Sequence, residues 1–503
     1  MLRRVCRQHP LSYALPTLMN PCSLLCFLTL TVALLSARAD ILTGSYDMAA
    51  VRDASTLETR VVEDWKPMAK NASIRQKLVE ITICEWWPGQ KVRLPVTFNA
   101  PANGAVCKQI IIGNAALTLK SAAPTGAMLR LLKEQGVGVV LIGMSTIDAM
   151  QPAPMLMPGM KEHMLATKDA RYSPAWIWGM SNMRAITAAF AEKDVFQPQQ
   201  VLVTGGSKRG VATAAAGIHD DRVTAILPVV APIIDSPGGP YVHGMMPEAI
   251  TKMNEQFITD LSAGKISNAP VSAVEPLLSR EKIRANERIT QEAARAAGWS
   301  EAEMRAMCAG AWTVCRTTNH WPALKQRGLE VFYNQGSNDN VGPGLIELGE
   351  RFPDFPIYIV PGGQHGGSKE TGFTQQVGSM PEVDENLYAF AMHHFFKARR
   401  MVATPKILTQ WDKATRKLYV TATFPDASAP QKNDLWISPD RHPDYSMQME
   451  YDAWTATALS TSLEAEITIT SGARTLDLIT VHAHAENGST LTVSSPVLRL
   501  SLE

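Results

Sequence analysis

The chain has 503 residues, 46% of them apolar and 19% charged, with a formal net charge of +1. That length exceeds one typical domain and the apolar share can fill a large core, so a globular protein of two domains is expected and a disordered chain is excluded. Charges of both signs are mixed along the chain without a long basic or acidic block, which removes the electrostatic reason to expect nucleic acid or an anionic membrane as a partner.

The N-terminus carries Arg3, Arg4 and Arg7, an apolar stretch from Cys22 to Leu35, and then Ser36-Ala37-Arg38-Ala39 before Asp40. This is the order of a secretory signal peptide, residues 1–39. The apolar stretch is short for a bilayer, and nothing later supplies about 20 uninterrupted apolar residues. A secreted or periplasmic protein with no stable membrane span is therefore expected. Of seven cysteines, Cys6, Cys22 and Cys26 fall in that leader, leaving Cys84, Cys107, Cys308 and Cys315. An even set in an exported chain reads as disulfides, the simplest pairing being Cys84 with Cys107 and Cys308 with Cys315, with four buried thiols as the alternative. Neither pair has zinc-site spacing with histidines nearby, so no metal is expected.

From about Leu78 to Phe98 the residues alternate in strand fashion. Short apolar runs at Lys108–Ile112 and Val137–Met144 flank a helical pattern from Pro124 to Glu134, the βαβ signature of a parallel sheet. A second helix, Pro174 to Lys193, leads into Gln200-Val201-Leu202-Val203-Thr204-Gly205-Gly206-Ser207-Lys208-Arg209-Gly210. Here a β-branched strand ends in a glycine pair, a serine and another glycine, followed by the small-residue run Val211 to Gly217. A serine on a sharp strand-to-helix turn needs small neighbours, and this pattern reads as a nucleophile elbow, although Arg209 stands where the G-x-S-x-G pattern has its last glycine. A bare glycine turn between strand and helix is the alternative. Val223 to Val230 reads as the next parallel strand.

A stretch of about 236–322 shows no strand signal and is rich in Ala, Glu, Arg and Met. It reads as a helical insertion, with helices near Glu248–Ser262, Val274–Ala285 and Ser300–Gly310, placed to cap the carboxyl edge of the sheet where ligand sites of open α/β sheets lie. Strands follow at Leu329–Tyr333 and Ile357–Val360, and a helix at Val383–Arg399 closes a domain of residues 40–402. From Pro405 the chain changes to short strands, among them Lys417–Phe424, Asp434–Ser438, Ser446–Trp454, Leu463–Thr470 and Leu476–His484, the spacing of a β-sandwich over residues 403–503. The expected fold is thus α/β, a mostly parallel sheet with a helical insertion and a C-terminal all-β sandwich.

A serine hydroxyl needs a histidine to take its proton and a carboxylate to orient that histidine. In the α/β-hydrolase chain order, serine, acid, histidine, Asp339 lies in a polar turn after the strand Leu329–Tyr333. His365 lies in the glycine-rich loop Pro361–Gly367 after the next strand. Asp235, after the strand beyond the elbow, competes for the acid role. His219, His393, His394, His482 and His484 fall within helices or strands and read as structural, whereas His163, His243 and His320 are open as pocket residues. The tetrahedral oxyanion needs N–H donors, normally one after the nucleophile and one after an earlier strand. Lys208 supplies the first, and the stretch holding Asn114 and Ala115 the second. Arg209 reads either as a structural ion-pair partner or as a contact for an acidic substrate.

The core Gly205-Gly206-Ser207-Lys208-Arg209-Gly210, with the small-residue helix and Asp220-Asp221-Arg222-Val223 after it, resembles the PhoPQ-activated pathogenicity-related protein family. The resemblance covers about residues 80–400 and implies an exported α/β-hydrolase with Ser207, Asp339 and His365 as its triad. Val211 departs from that family's usual aromatic residue, as do the Asn338-Asp339-Asn340-Val341 surroundings of the acid. The basic Lys208 directly after the serine also resembles the elbow of glucuronoyl esterases, which implies an ester of a uronic acid.

The resulting expectation is an exported serine hydrolase working through an acyl-enzyme, with a small-molecule or polysaccharide-linked carboxylic ester as substrate and no cofactor. The alternatives are a serine peptidase of the same fold and a non-catalytic hydrolase-like binding or signalling protein.

Overall fold

The computed structural model describes residues 44–116, 118–144, 159–235, 248–279, 289, 291–366, 375–425, 429–469 and 472–503. The expected leader, His243 and part of the expected helix Val274–Ala285 lie outside them.

Ten strands form one sheet: β1 (Arg60–Met68), β2 (Asn71–Glu85), β3 (Lys91–Pro101), β4 (Cys107–Ala115), β5 (Gly138–Gly143), β6 (Phe196–Gly206), β7 (Ala225–Val229), β8 (Glu330–Val331), β9 (Tyr333–Gly336) and β10 (Ile357–Val360). Their order is β1-β2-β3-β5-β4-β6-β7-β9-β10, with β8 beside β7. The first strands, through the β3–β5 pair, run antiparallel. From β5 to β10 every neighbouring pair is parallel. The central strands are near-continuous apolar runs, as in Ile110–Ile112 and Val201–Val203, because both faces are covered. Helices Pro174–Ala191 and Lys208–His219 share one core with Val203 and Ile226, while helices Gly126–Gln135 and Pro381–Phe396 share another with Leu202 and Leu227. This is the α/β-hydrolase fold, with the serine at the end of a central strand.

Between β7 and β8 the elements formed by the described residues are helices, including Glu248–Ser262, Gln291–Ala296 and Glu301–Cys315. The helix Glu301–Cys315 starts at a capping box in which Ser300 and Glu303 satisfy one another's backbone N–H groups.

The C-terminal region holds two antiparallel sheets. One is ordered β11 (Lys406–Asp412), β12 (Lys417–Thr423), β15 (Glu464–Thr468). The other is ordered β14 (Thr455–Ala458), β13 (Lys432–Pro439), β16 (Thr475–Glu486), β17 (Ser489–Ser494), with β18 (Leu498–Ser501) also on β16. Leu418, Val420 and Ala422 of the first sheet meet Leu435, Leu476 and Leu478 of the second in a shared core. The second sheet is buried on its other face as well, where Leu491 and Val493 join Tyr358, Val360 and Phe390 of the hydrolase sheet and helix.

Two sequence expectations fail here. The stretch Ser446–Trp454 is not a strand but a 3-10 turn, Met447–Tyr451, with Met447, Met449 and Glu450 buried. The expected disulfides do not form, and Cys84, Cys107, Cys308 and Cys315 are all free thiols. Cys84 is the last residue but one of β2 and Cys107 starts β4, and β3 and β5 lie between those strands, a separation of roughly 14 Å at ordinary strand spacing. Cys308 and Cys315 share one helix, about two turns apart. Both separations exceed what a disulfide can bridge.

Candidate active site

The elbow forms because β6 must turn sharply into the helix Lys208–His219. Ser207 takes φ 61° and ψ −126° at that turn, a conformation L-residues rarely adopt. Its N–H donates to Val229 O at 2.9 Å and its carbonyl accepts from Val211 N at 3.0 Å, so neighbouring structure holds the strain in place. Glycine is needed on either side of it. A Cβ at Gly205 would meet Asn114 Oδ1 and Arg209 O, and one at Gly210 would lie 2.7 Å from Ala231 Cβ and 2.9 Å from Val229 O.

Asp339 and His365 arrive from the last two strands of the sheet. β9 and β10 pair in parallel, with Gly336 opposite Val360, so the loops that follow them leave the carboxyl edge side by side. His365 Nε2 lies 2.7 Å from Ser207 Oγ, and His365 Nδ1 lies 3.1 Å from Asp339 Oδ2. An ionised carboxylate only accepts, which puts the proton on Nδ1 and leaves the Nε2 lone pair to accept the serine hydroxyl proton. Asp339 is 1% exposed. Its Oδ1 accepts from Val341 N at 2.9 Å and its Oδ2 from Gln335 Nε2 at 3.3 Å. Gln335 is a site residue that sequence reasoning missed. Its position inside the strand gives no motif signal, and only the fold turns its amide toward Asp339.

The competing acid, Asp235, is engaged elsewhere. Its carboxylate accepts from Asn319 Nδ2 at 3.1 and 3.3 Å, and burial raises its pKa above the usual carboxylate range. His320 and His219 are also engaged elsewhere. His320 Nε2 donates to Thr313 O at 2.8 Å and His219 Nε2 to Val314 O at 3.0 Å, and burial lowers both pKa values, that of His219 to about 3. His163 stacks on Trp87 and meets Tyr172 edge-on.

Lys208 is the first residue of the elbow helix, so its backbone N–H belongs to the helix N-terminus, where the helix dipole favours negative charge. Asn114 and Ala115 end β4 beside β5. The Asn114 side chain turns under the elbow: Nδ2 lies 2.8 Å from Met144 Sδ and 3.4 Å from Asn182 Oδ1, while Oδ1 is buried against Gly205 without a hydrogen-bond partner. Arg209, half-buried, lies in the first turn of the same helix, where Thr213 Oγ1 donates to its carbonyl at 2.8 Å. Among the described residues no group of three or more His, Cys, Asp and Glu side chains could hold a metal ion, and no helix is long and apolar enough to cross a membrane.

Comparison with solved structures finds a glucuronoyl esterase from Solibacter usitatus, at 15% identity over 35% of this chain and 52% of the other, with a TM-score of 0.26. It also finds an acetyl xylan esterase from Paenibacillus sp. R4, at 14% identity over 66% and 90%, with a TM-score of 0.39. A glucuronoyl esterase from Teredinibacter turnerae matches at 13% identity over 34% and 45%, with a TM-score of 0.26. The chain spans about half the length of the glucuronoyl esterases it matches, and the fold assignment rests on the strand order rather than on these likenesses. No curated protein matches the chain. The model of the PhoPQ-activated pathogenicity-related protein family matches residues 175–282. Over that stretch, which carries Ser207, the elbow helix and β7, the chain bears the sequence signature of the PhoPQ-activated pathogenicity-related protein family.

Proposed function

We propose that this protein is an exported serine hydrolase that cleaves a carboxylic ester through an acyl-enzyme. The observation that carries the reading is the hydrogen-bonded relay from Ser207 Oγ through His365 to Asp339, at 2.7 and 3.1 Å. In the proposed reaction His365 Nε2 takes the serine proton as Oγ attacks the ester carbon. Asp339 holds the imidazole in its tautomer and stabilises the imidazolium that forms. The oxyanion develops beside the N-terminus of the elbow helix, with the Lys208 N–H as one donor and the end of β4, at Asn114 and Ala115, supplying the second. Such a donor is worth roughly 10²–10³ in rate. The imidazolium then returns the proton to the leaving alcohol, and a water activated by the same histidine releases the acid. Arg209 is proposed to meet an acidic group of the substrate. An ester is preferred to a peptide because the basic residue after the serine resembles the elbow of the glucuronoyl esterases.

The test is capture of a fluorophosphonate probe by the protein and by Ser207→Ala, Asp339→Asn and His365→Gln. Labelling is expected on Ser207, absent in Ser207→Ala and reduced by at least about 10³ in the other two. Folded wild type that takes no label would overturn the reading in favour of a non-catalytic binding protein.

A further inference from the structure

The acid and histidine loops leave β9 and β10, strands of only four residues each, and β10 is the last strand of the sheet. An edge strand leaves backbone groups unpaired and its loops unsupported on one side. Here the C-terminal region covers that edge. Ile359 N donates to Ser494 Oγ at 2.8 Å, and Asn386 of the closing helix exchanges two hydrogen bonds with the backbone of Thr492, at 3.0 and 2.7 Å. The segment from Arg441 to Trp454 continues this cover over the two loops.

Asn338, the residue before Asp339, is 1% exposed and has its amide filled by partners. Its Nδ2 donates to Asp452 O at 2.8 Å and reaches Glu450 O at 3.5 Å. Its Oδ1 accepts from Trp454 Nε1 at 2.8 Å and Ser337 Oγ at 3.0 Å. Gln364, the residue before His365, donates from Nε2 to the same Glu450 carbonyl at 3.2 Å. Arg441, with a side chain closed to solvent, donates from Nη1 to Ser337 O at 3.1 Å. Its charge is held by Asp444 and by Asp477 at 2.6 Å, and Asp477 is shared with Arg499 at 2.6 Å. His442 and Asp452 staple the ends of the segment through Nδ1 and Oδ1 at 2.8 Å. The 3-10 turn inside it is backed by the insertion: Asn254 Oδ1 accepts from Met447 N at 3.0 Å, and Phe257 and Leu261 pack with Met447 and Tyr451.

We propose that the segment 441–454 is a positioning element of the active site, setting the separation of Asp339 from His365 by gripping the residue before each. The C-terminal domain is then a working part of the hydrolase rather than a separable binding module. This rests on the triad reading given above. Trp454 and Asn338 act through their neighbours and touch no substrate. Removing a grip of this kind acts on orientation, where a displacement of about 1 Å costs up to roughly 10²-fold in rate.

The test uses the full chain with Trp454→Phe, which keeps an aromatic ring and deletes the donor to Asn338. Gln364→Met serves as a second variant on the histidine side, and Trp411→Phe as a control on β11. The readouts are the rate of fluorophosphonate capture, kcat and KM on p-nitrophenyl acetate, the low-field proton resonance of the His365–Asp339 hydrogen bond, and backbone hydrogen exchange in 334–342 and 360–366. Expected for both test variants is slower capture and lower kcat, by about 10- to 100-fold with KM unchanged. A broadened low-field resonance and faster exchange in both loops should accompany this, at a melting midpoint near that of wild type, and Trp411→Phe should match wild type throughout. Test variants that are folded and keep wild-type capture, resonance and exchange overturn the positioning role while leaving the hydrolase reading intact. Wild type that is not labelled and shows no low-field resonance overturns the hydrolase reading, and the positioning role with it. If Trp454→Phe does not fold, Gln364→Met decides by the same readouts.

Discussion

The three glycines of the elbow are not equivalent, and the difference gives a quantitative test of the geometry around Ser207. In Gly210→Ala the new Cβ would stand 2.7 Å from Ala231 Cβ, 2.9 Å from Val229 O and 3.1 Å from Gly205 O. Relaxed carbon contacts are about 3.5–4.0 Å, so the overlap with Ala231 is roughly 1 Å. None of these atoms can rotate away. Overpacking of this kind costs about 1–3 kcal/mol, and the gain in helix propensity returns at most about 1 kcal/mol, leaving a net loss of roughly 1–2 kcal/mol. Because Val229 O also accepts the Ser207 N–H at 2.9 Å, the displaced carbonyl moves Ser207, and under the proposed function probe capture should fall by about 10- to 100-fold. Gly206→Ala differs. Its Cβ would meet only Val229 O, at 3.9 Å, an ordinary contact, so stability should stay within about 0.5 kcal/mol of wild type. The assay is a thermal melt of each variant beside its rate of fluorophosphonate labelling. A Gly210→Ala protein that melts at or above wild type, or a Gly206→Ala protein destabilised as much as Gly210→Ala, would refute this reasoning.

Further outcomes follow from buried groups away from the site. His219 and His482 are held neutral by burial, each with its pKa lowered to about 3, whereas the unfolded chain binds those protons near pH 6.5. The unfolded state therefore takes up more protons as pH falls from about 6.5 toward 3, and stability is lost across that window by at most about 5 kcal/mol per histidine. Urea titrations at stepped pH should show this slope, and His482→Gln should flatten it; an unchanged slope would remove His482 as a cause. With four free thiols at Cys84, Cys107, Cys308 and Cys315, a reductant should leave the melting midpoint unchanged. A thiol reagent added to a denatured chain that begins at Asp40 should count four groups without prior reduction, and a count of two or fewer would restore a disulfide.

What the sequence determined by itself was local or periodic. The β-branched run into Gly205-Gly206-Ser207 marked the elbow, because a strand-to-helix turn restricts residue size on both sides. The strand signals at Leu329–Tyr333 and Ile357–Val360, each running into a polar or glycine-rich turn, singled out Asp339 and His365 as candidates, and the parallel pairing of β9 and β10 puts both turns at the same edge. What the tertiary structure decided was whatever depends on neighbours distant in sequence. Cys84 and Cys107 read as partners until the strand order put β3 and β5 between β2 and β4. The stretch Ser446–Trp454 read as a strand, yet a 3-10 turn there buries Met447, Met449 and Glu450 and closes over the loops that carry Asp339 and His365. Gln335 and Trp454 carry no motif, since the orientation of a single side chain toward a partner amide or carboxylate is fixed by packing and not by periodicity. The second sheet of the C-terminal region alternates in sequence as a half-exposed sheet would. Only the assembled fold buries its other face on the hydrolase helix and β10, and apolar burial between elements so far apart in the chain leaves no periodic trace in either.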